Sequence, residues 1–115
     1  MLKKSKKGFT LMEMLIVVAI IAVLVIIAIP TFTNALNEAR EKTDIANARA
    51  WYAELAVYAA LHNGGLTEED PTYPQEPVPQ VTGADFRLYS NNATGEITVT
   101  YLDPDGNVVI EFTNR

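Results

Sequence analysis

The sequence has no cysteine and one histidine, His62. Disulfides, thiolate metal sites and a cysteine nucleophile are excluded, a lone histidine leaves a histidine-based triad no redundancy, and a zinc site would need unusual carboxylate ligation. Basic side chains are also scarce beyond the start of the chain. Lys3, Lys4, Lys6 and Lys7 are four of the nine, so from Phe9 onward five basic residues stand against fourteen acidic ones. Such an acidic body disfavours direct nucleic-acid binding. No glycine-rich phosphate loop, internal repeat or low-complexity tract is present. If the first thirty residues are leader and membrane segment, about 85 remain, enough for one small domain. Without disulfides that domain must be steadied by packing or by neighbours, which fits a subunit.

What the chain does have is a long oily run. Met14 to Ile29 are sixteen consecutive apolar residues, and the run lengthens to twenty-one from Phe9 if Glu13 is counted through. That length predicts a membrane-spanning helix. The four lysines before it place the N-terminus in the cytoplasm and everything after Pro30 outside. The run is too long for an ordinary secretory signal, and "PTFTNALNEA" after Ile29 offers no small-residue cleavage pattern.

Glu13 is the anomaly in this run. A carboxylate in hydrocarbon needs water or a partner. It lies about one helical turn from Phe9, so a cut between Gly8 and Phe9 would create an ammonium group able to pair with it, in the same chain or in a neighbouring subunit. The stretch "KKGFTLMEMLIVVAIIAVLVIIAIP" resembles the N-terminus of type IV pilins and of the pseudopilins of type II secretion and competence systems. The elements that carry the resemblance are Gly8, Phe9, Thr10, Leu11, Glu13 and Pro30, and it extends from residue 3 to about 55. It implies cleavage after Gly8 by a membrane-embedded prepilin peptidase and methylation of the new amino group of Phe9. It also implies helical filaments in which the oily helices pack together, extended by an assembly platform and a cytoplasmic ATPase. Docking of Glu13 beside a neighbour's Phe9 ammonium would then relieve a penalty of roughly 2 to 3 kcal/mol and set axial register.

Pro30 removes one helical hydrogen bond and is expected to kink or loosen a helix that otherwise continues. Beyond it, Leu36, Ala39, Thr43, Ala46, Ala50, Ala53, Val57 and Ala60 recur at spacings of three and four. They predict an amphipathic helix to about His62 with an alanine-rich buried stripe, widened by Trp51, Leu55 and Tyr58 and ended by Gly64 and Gly65. Residues 66 to 85 hold four prolines and five acids and predict an extended surface loop. "FRLYS", "EITVTYL" and "NVVIEFT", separated by "NNATG" and "DPDG", predict a three-stranded antiparallel meander. Its inner face is expected to be Ile97, Val99 and Tyr101, with Val108, Ile110 and Phe112 across the turn. The expected fold class is α+β, organised as leader 1–8, transmembrane or filament-core helix 9–30, amphipathic helix 31–63, acidic loop 64–85 and β-meander 86–115.

Other candidate chemistry is better explained by structure. His62 reads as a helix-end residue favoured by the dipole. Glu68, Glu69 and Asp70, or Asp103 with Asp105, offer oxygen ligands for calcium, which some secretion pseudopilins hold in their C-terminal loop. The simpler readings are solvated loop and turn, and no cofactor is expected. Asn92 to Thr94 is a glycosylation sequon that also reads as a turn. Phe9, Phe32, Trp51, Tyr52 and Tyr58 read as packing residues. Electron-conducting pilins, which such aromatics suggest, usually lack the globular domain expected here. The sequence therefore reads as a filament subunit without enzymatic activity, membrane-anchored before assembly and on the cell surface afterwards. The alternatives are a secretion or DNA-uptake pseudopilin, which shares this chemistry, and a membrane-tethered binding module, which needs neither the cut nor Glu13.

Overall fold

The computed structural model describes Gly8 and residues 10–115. The chain forms one helix, α1 (Leu11–Leu61), and three strands, β1 (Asp85–Asn91), β2 (Glu96–Leu102) and β3 (Val108–Thr113). It divides into two compact units, one up to Leu36 and the other from Asn37 to Arg115. The expected α+β class with a long N-terminal helix and an antiparallel meander is what the chain adopts.

In the first unit every residue from Leu11 to Leu36 is exposed. The apolar stretch Leu11–Ile29 rises about 28 Å along the helix axis, close to the thickness of a bilayer's hydrocarbon core. Pro30 lies inside α1 without ending it. Its missing amide leaves one carbonyl without a helical donor. Nearby, the hydroxyls of Thr31 and Thr33 donate to the carbonyls of Ile27 and Ile29 at 3.3 and 2.9 Å, adding hydrogen bonds where the ladder is weakest.

The second unit is built on one face of α1. Asp44, Ala48, Trp51, Leu55, Tyr58 and Ala59 are buried. They pack with Phe86 of β1, with Ile97, Val99 and Tyr101 of β2, and with Tyr73 from the connecting loop. The expected alanine stripe is therefore misassigned: Thr43, Ala46, Ala50, Ala53, Val57 and Ala60 are exposed, on roughly the opposite side of the helix. The sheet takes the side carrying Trp51, Leu55 and Tyr58 because aromatic and leucine side chains remove far more area from water than methyl groups do. α1 ends where Asn63 and Gly64 turn left-handed (φ 57° and 83°). The Gly64 amide reaches back to the Ala59 carbonyl at 2.6 Å, so the stop lies one residue earlier than the Gly64–Gly65 expected.

The sheet order is β1-β2-β3, antiparallel throughout. Val99 faces Phe112 and Tyr101 faces Ile110, but a register shift after Tyr101 sets Leu102 against Val108. The shift turns Val108 outward, 61% exposed, instead of onto the inner face expected of it. Thr98, on the other face, shares a 3.0 Å hydroxyl contact with Thr113. Gly95 and Gly106 close the two turns with positive φ, which side chains with a Cβ rarely adopt.

The loop between α1 and β1 has no regular structure, yet it does not simply lie on the surface. Asp44 is wholly buried and accepts three hydrogen bonds, from the Gln80 amide (2.6 Å), the Val81 amide (3.0 Å) and the Tyr101 hydroxyl (2.8 Å). All three partners are donors, which suits an ionised carboxylate. One side chain thus ties helix, loop and central strand together. Trp51 Nε1 donates to the Pro74 carbonyl at 3.2 Å and the Tyr58 hydroxyl to Asp70 Oδ2 at 3.0 Å, completing three attachments along the loop.

Replacing Asp44 with alanine leaves two amides and a phenol without partners and is expected to cost about 3 kcal/mol. Guanidinium unfolding of the full chain in nonionic detergent measures this; a loss below about 1 kcal/mol would show that water replaces the carboxylate.

Titration limits the fold at both ends. Burial, then the Asp44 contact, pushes the Tyr101 phenol well above its ordinary 10.0, and burial likewise raises Tyr58 and Tyr73. Unfolded tyrosines ionise near pH 10 while these folded ones resist, so stability is full below pH 10 and falls as pH rises above it. Asp70 is lowered below 3.8, chiefly by hydrogen bonds from Thr72. Its contribution is present above about pH 4 and is lost as pH falls through the lowered value. Unfolding midpoints measured from pH 3 to 11 are expected to plateau between these limits and fall outside them.

Candidate assembly surface

The helix start is shaped by its own side chains. Thr10 precedes α1, and its Oγ1 accepts from the Glu13 amide at 3.1 Å while its amide donates to Glu13 Oε2 at 3.3 Å. This reciprocal pair is a capping box, which satisfies amides that the first turn leaves free. Glu13 also sits at the positive end of the helix dipole. The sequence signal was Thr-x-x-Glu directly before an apolar run, and the reading that sought water or an ammonium partner for Glu13 missed it. Phe9, the expected source of that ammonium and site of methylation, lies outside the described residues, as do the leader lysines. Gly8 is exposed, and a Cβ built on it would meet nothing within 4 Å.

From Leu11 to Ile29 the exposed side chains form rows with gaps. One apolar groove is lined by Ile16, Ala19, Ile20, Val23 and Leu24, and another by Leu24, Ile27, Ala28, Thr31, Phe32 and Ala35. The alanines open hollows between longer side chains, a relief into which the ridges of another helix can fit. Leu11 and Pro30, also expected to serve assembly, lie on this same exposed helix.

In the second unit, the outward side of α1 presents Ala46, Ala50, Ala53 and Val57. At its end, Ala53, Val57, Leu61, Thr72 and Pro74 help line a hollow of about 530 Å³. His62 stacks on Tyr58 with ring centres 4.0 Å apart. Its Nδ1 lies 2.8 Å from the Tyr58 carbonyl and its Nε2 3.5 Å from Asp70 Oδ2. These contacts fit a helix-end role.

The acidic groups considered for calcium are built into turns. Asp70 Oδ1 accepts from the Thr72 amide (2.8 Å) and hydroxyl (2.6 Å). Asp103 Oδ1 accepts from the Asp105 and Asn107 amides at 3.0 and 2.8 Å. Among the described residues no three His, Asp or Glu side chains group as metal ligands. Asn92 is exposed in the β1–β2 turn and its Oδ1 accepts from the Leu66 amide. Trp51 and Tyr52 pack against Phe86 and Phe112 of the sheet, and Tyr58 against Tyr73 of the loop.

Residues 3–29 match the family model described as the prokaryotic N-terminal methylation motif. The chain is 26% identical to type II secretion system core protein G of Dickeya chrysanthemi, over 91% of this chain and 82% of that one. It is 31% identical to the type IV narrow pilus major component PilA5 of Thermus thermophilus, over 76% and 75% of the two chains. It is also 31% identical to the type IV major fimbrial protein FimA of Dichelobacter nodosus, over 96% and 74%. No solved structure matches the chain. With an exposed apolar helix that opens on Thr10 and Glu13 and a meander packed on the helix's later turns, the chain belongs to the type IV pilin and pseudopilin family.

Proposed function

We propose that the chain is the structural subunit of a type IV pilus-like filament, cut after Gly8 by a membrane prepilin peptidase and assembled through α1. The observation that carries this reading is the apolar helix from Leu11 to Ile29, exposed along its whole length and capped by Thr10 and Glu13. Hydrolysis of the Gly8–Phe9 bond leaves a Phe9 ammonium, which the same peptidase methylates. Before assembly the helix crosses the membrane once with its N-terminus in the cytoplasm. Afterwards it packs among copies of itself in a surface filament. The role is structural: an assembly platform and a cytoplasmic ATPase supply organisation and energy, and the subunit needs no cofactor.

Glu13 serves both states. Only Oε2 is held in the capping box, and a carboxylate has lone pairs for about four donors. The carboxylate can therefore keep Thr10 while accepting a neighbour's Phe9 ammonium. A second reading, the pseudopilin of a type II secretion system, is favoured by the likeness to core protein G across 91% of this chain. It uses the same helix and the same cut.

Intact mass and N-terminal sequencing of protein from cells with and without the peptidase test the processing step. The mature chain is expected to begin at Phe9, with one added methyl, only when the peptidase is present. Retention of residues 1–8 would replace the filament reading with that of a tethered module.

Glu13→Gln keeps the capping hydrogen bond and removes the charge, whereas Glu13→Ala removes both. Both variants are expected to enter the membrane and to lower filament yield about tenfold or more. Normal filaments from Glu13→Gln would reduce Glu13 to a helix cap. Thr10→Ala, which costs the helix start about 1 kcal/mol, is expected to reduce the yield less.

A further inference from the structure

The end of α1 carries a reactive pair that assembly does not use. Of the asparagines in the chain, only Asn63 is followed by glycine. Asn63 is exposed and left-handed, with φ 57°, just past the helix where glycine is the usual residue. Gly64 follows, also left-handed with φ 83°. Its amide donates to the Ala59 carbonyl at 2.6 Å, the longer-reaching bond of a Schellman cap. The turn before the cap is tied to the loop. There the Tyr58 hydroxyl donates to Asp70 Oδ2 at 3.0 Å and to the Thr67 carbonyl at 3.4 Å, and His62 stacks on the Tyr58 ring. On the other side, a Cβ built on Gly64 would stand 3.9 Å from Gly95 Cα, and the Leu66 amide donates to Asn92 Oδ1 at 3.3 Å. Residues 63–66 thus bridge the helix end and the β1–β2 turn.

An asparagine that precedes glycine can lose its side-chain amide to its own backbone. The glycine nitrogen gives up its proton to solvent and attacks the asparagine Cγ. A bond between that nitrogen and Cγ forms, the Cγ–Nδ2 bond breaks, and ammonia leaves. The cyclic imide then takes up water at either carbonyl and opens to an aspartyl or an isoaspartyl residue, with no change of oxidation state. Glycine favours the step because it has no side chain to crowd the attacking nitrogen. In this fold that nitrogen is committed to Ala59, and attack on Asn63 requires that bond to break. We propose that Asn63–Gly64 is a site of spontaneous deamidation whose rate is set by opening of the last turn of α1. The product alters the cap that controlled it. Either acid places a negative charge at the negative end of the helix dipole. The isoaspartyl form also adds a methylene to the backbone before Gly64, which displaces the Gly64 amide from Ala59 and disturbs the contact between Leu66 and Asn92. The site lies in the globular unit and is independent of the cut after Gly8.

The full chain in nonionic detergent is incubated in mildly alkaline buffer, folded and in guanidinium chloride at the same pH, and sampled over time. Peptide mapping by mass spectrometry locates each converted asparagine, and isoaspartyl methylation counts the rearranged product. Hydrogen exchange of the Gly64 amide, followed by NMR, measures opening of the cap. In the unfolded chain Asn63 is expected to convert faster than any other asparagine. Folding is expected to slow its conversion about tenfold or more, by the fraction of time the cap is closed. Tyr58→Phe, which keeps the ring and removes both hydroxyl bonds, is expected to raise Gly64 exchange and conversion together, several-fold. Asn63→Gly, which suits the left-handed position, is expected to fold and to leave no conversion at the helix end. Conversion of Asn63 as fast in the folded chain as in guanidinium, or no faster than that of other asparagines when unfolded, overturns the proposal. So does a Tyr58→Phe variant in which conversion is unchanged, or rises without a rise in Gly64 exchange.

Discussion

The side chains from Leu11 to Ile29 are all exposed within the chain, and each large one gains about 1.5 to 3 kcal/mol on leaving water. Summed over the segment, the drive is on the order of tens of kcal/mol, so the helix has to lie in lipid or against other helices. The two environments are almost equally apolar, and the hydrophobic effect hardly distinguishes them. Shape and polar contacts then decide. The hollows at Ala19 and Ala28 and the half-engaged carboxylate of Glu13 are the features of this segment that a lipid cannot match and a neighbouring helix can.

The globular unit meets a different constraint. It is small, has no disulfide, and must hold twenty-odd residues of irregular, proline-rich chain against one helix. Side chains of α1 do this at three heights: Asp44 takes the amides of Gln80 and Val81, Trp51 the carbonyl of Pro74, and Tyr58 the carboxylate of Asp70. Burying a charge at Asp44 is costly unless every lone pair is used well. Here the donors come from loop and strand, so the carboxylate is satisfied only when both are in place. Such a group ties the unit's parts into one cooperative fold and leaves the outward side of the helix free.

That freedom bears on assembly. The side of α1 turned away from the sheet carries Ala46, Ala50 and Ala53, small side chains that allow close approach of another backbone. Trp51, Tyr52, Tyr58, Tyr73, Phe86, Tyr101 and Phe112 are spent inside the unit, where they pack edge-on, tilted and stacked at centroid distances between 4.0 and 6.5 Å. Packing on Phe86, Phe112 and Tyr73 engages Trp51, Tyr52 and Tyr58.

Local signals carried much of this into the sequence. The length of the apolar run, Gly8–Phe9–Thr10–Leu11 with Glu13, the period-two strands and the turn residues Gly95 and Gly106 each report on their own few neighbours, and they determined the helix, the meander and the family. The Thr10–Glu13 box was equally local and was legible, though its signature was passed over for the anomaly of the charge. Tertiary structure decided which side of α1 the sheet would take, because two apolar stripes share that helix and only competition for area ranks them. It also turned Val108 outward through a register shift that no single strand encodes. Asp44 shows the limit most clearly: by type and spacing it belongs on a solvated face, and its burial rests on donors 36, 37 and 57 residues away, a convergence that exists only once the chain has folded.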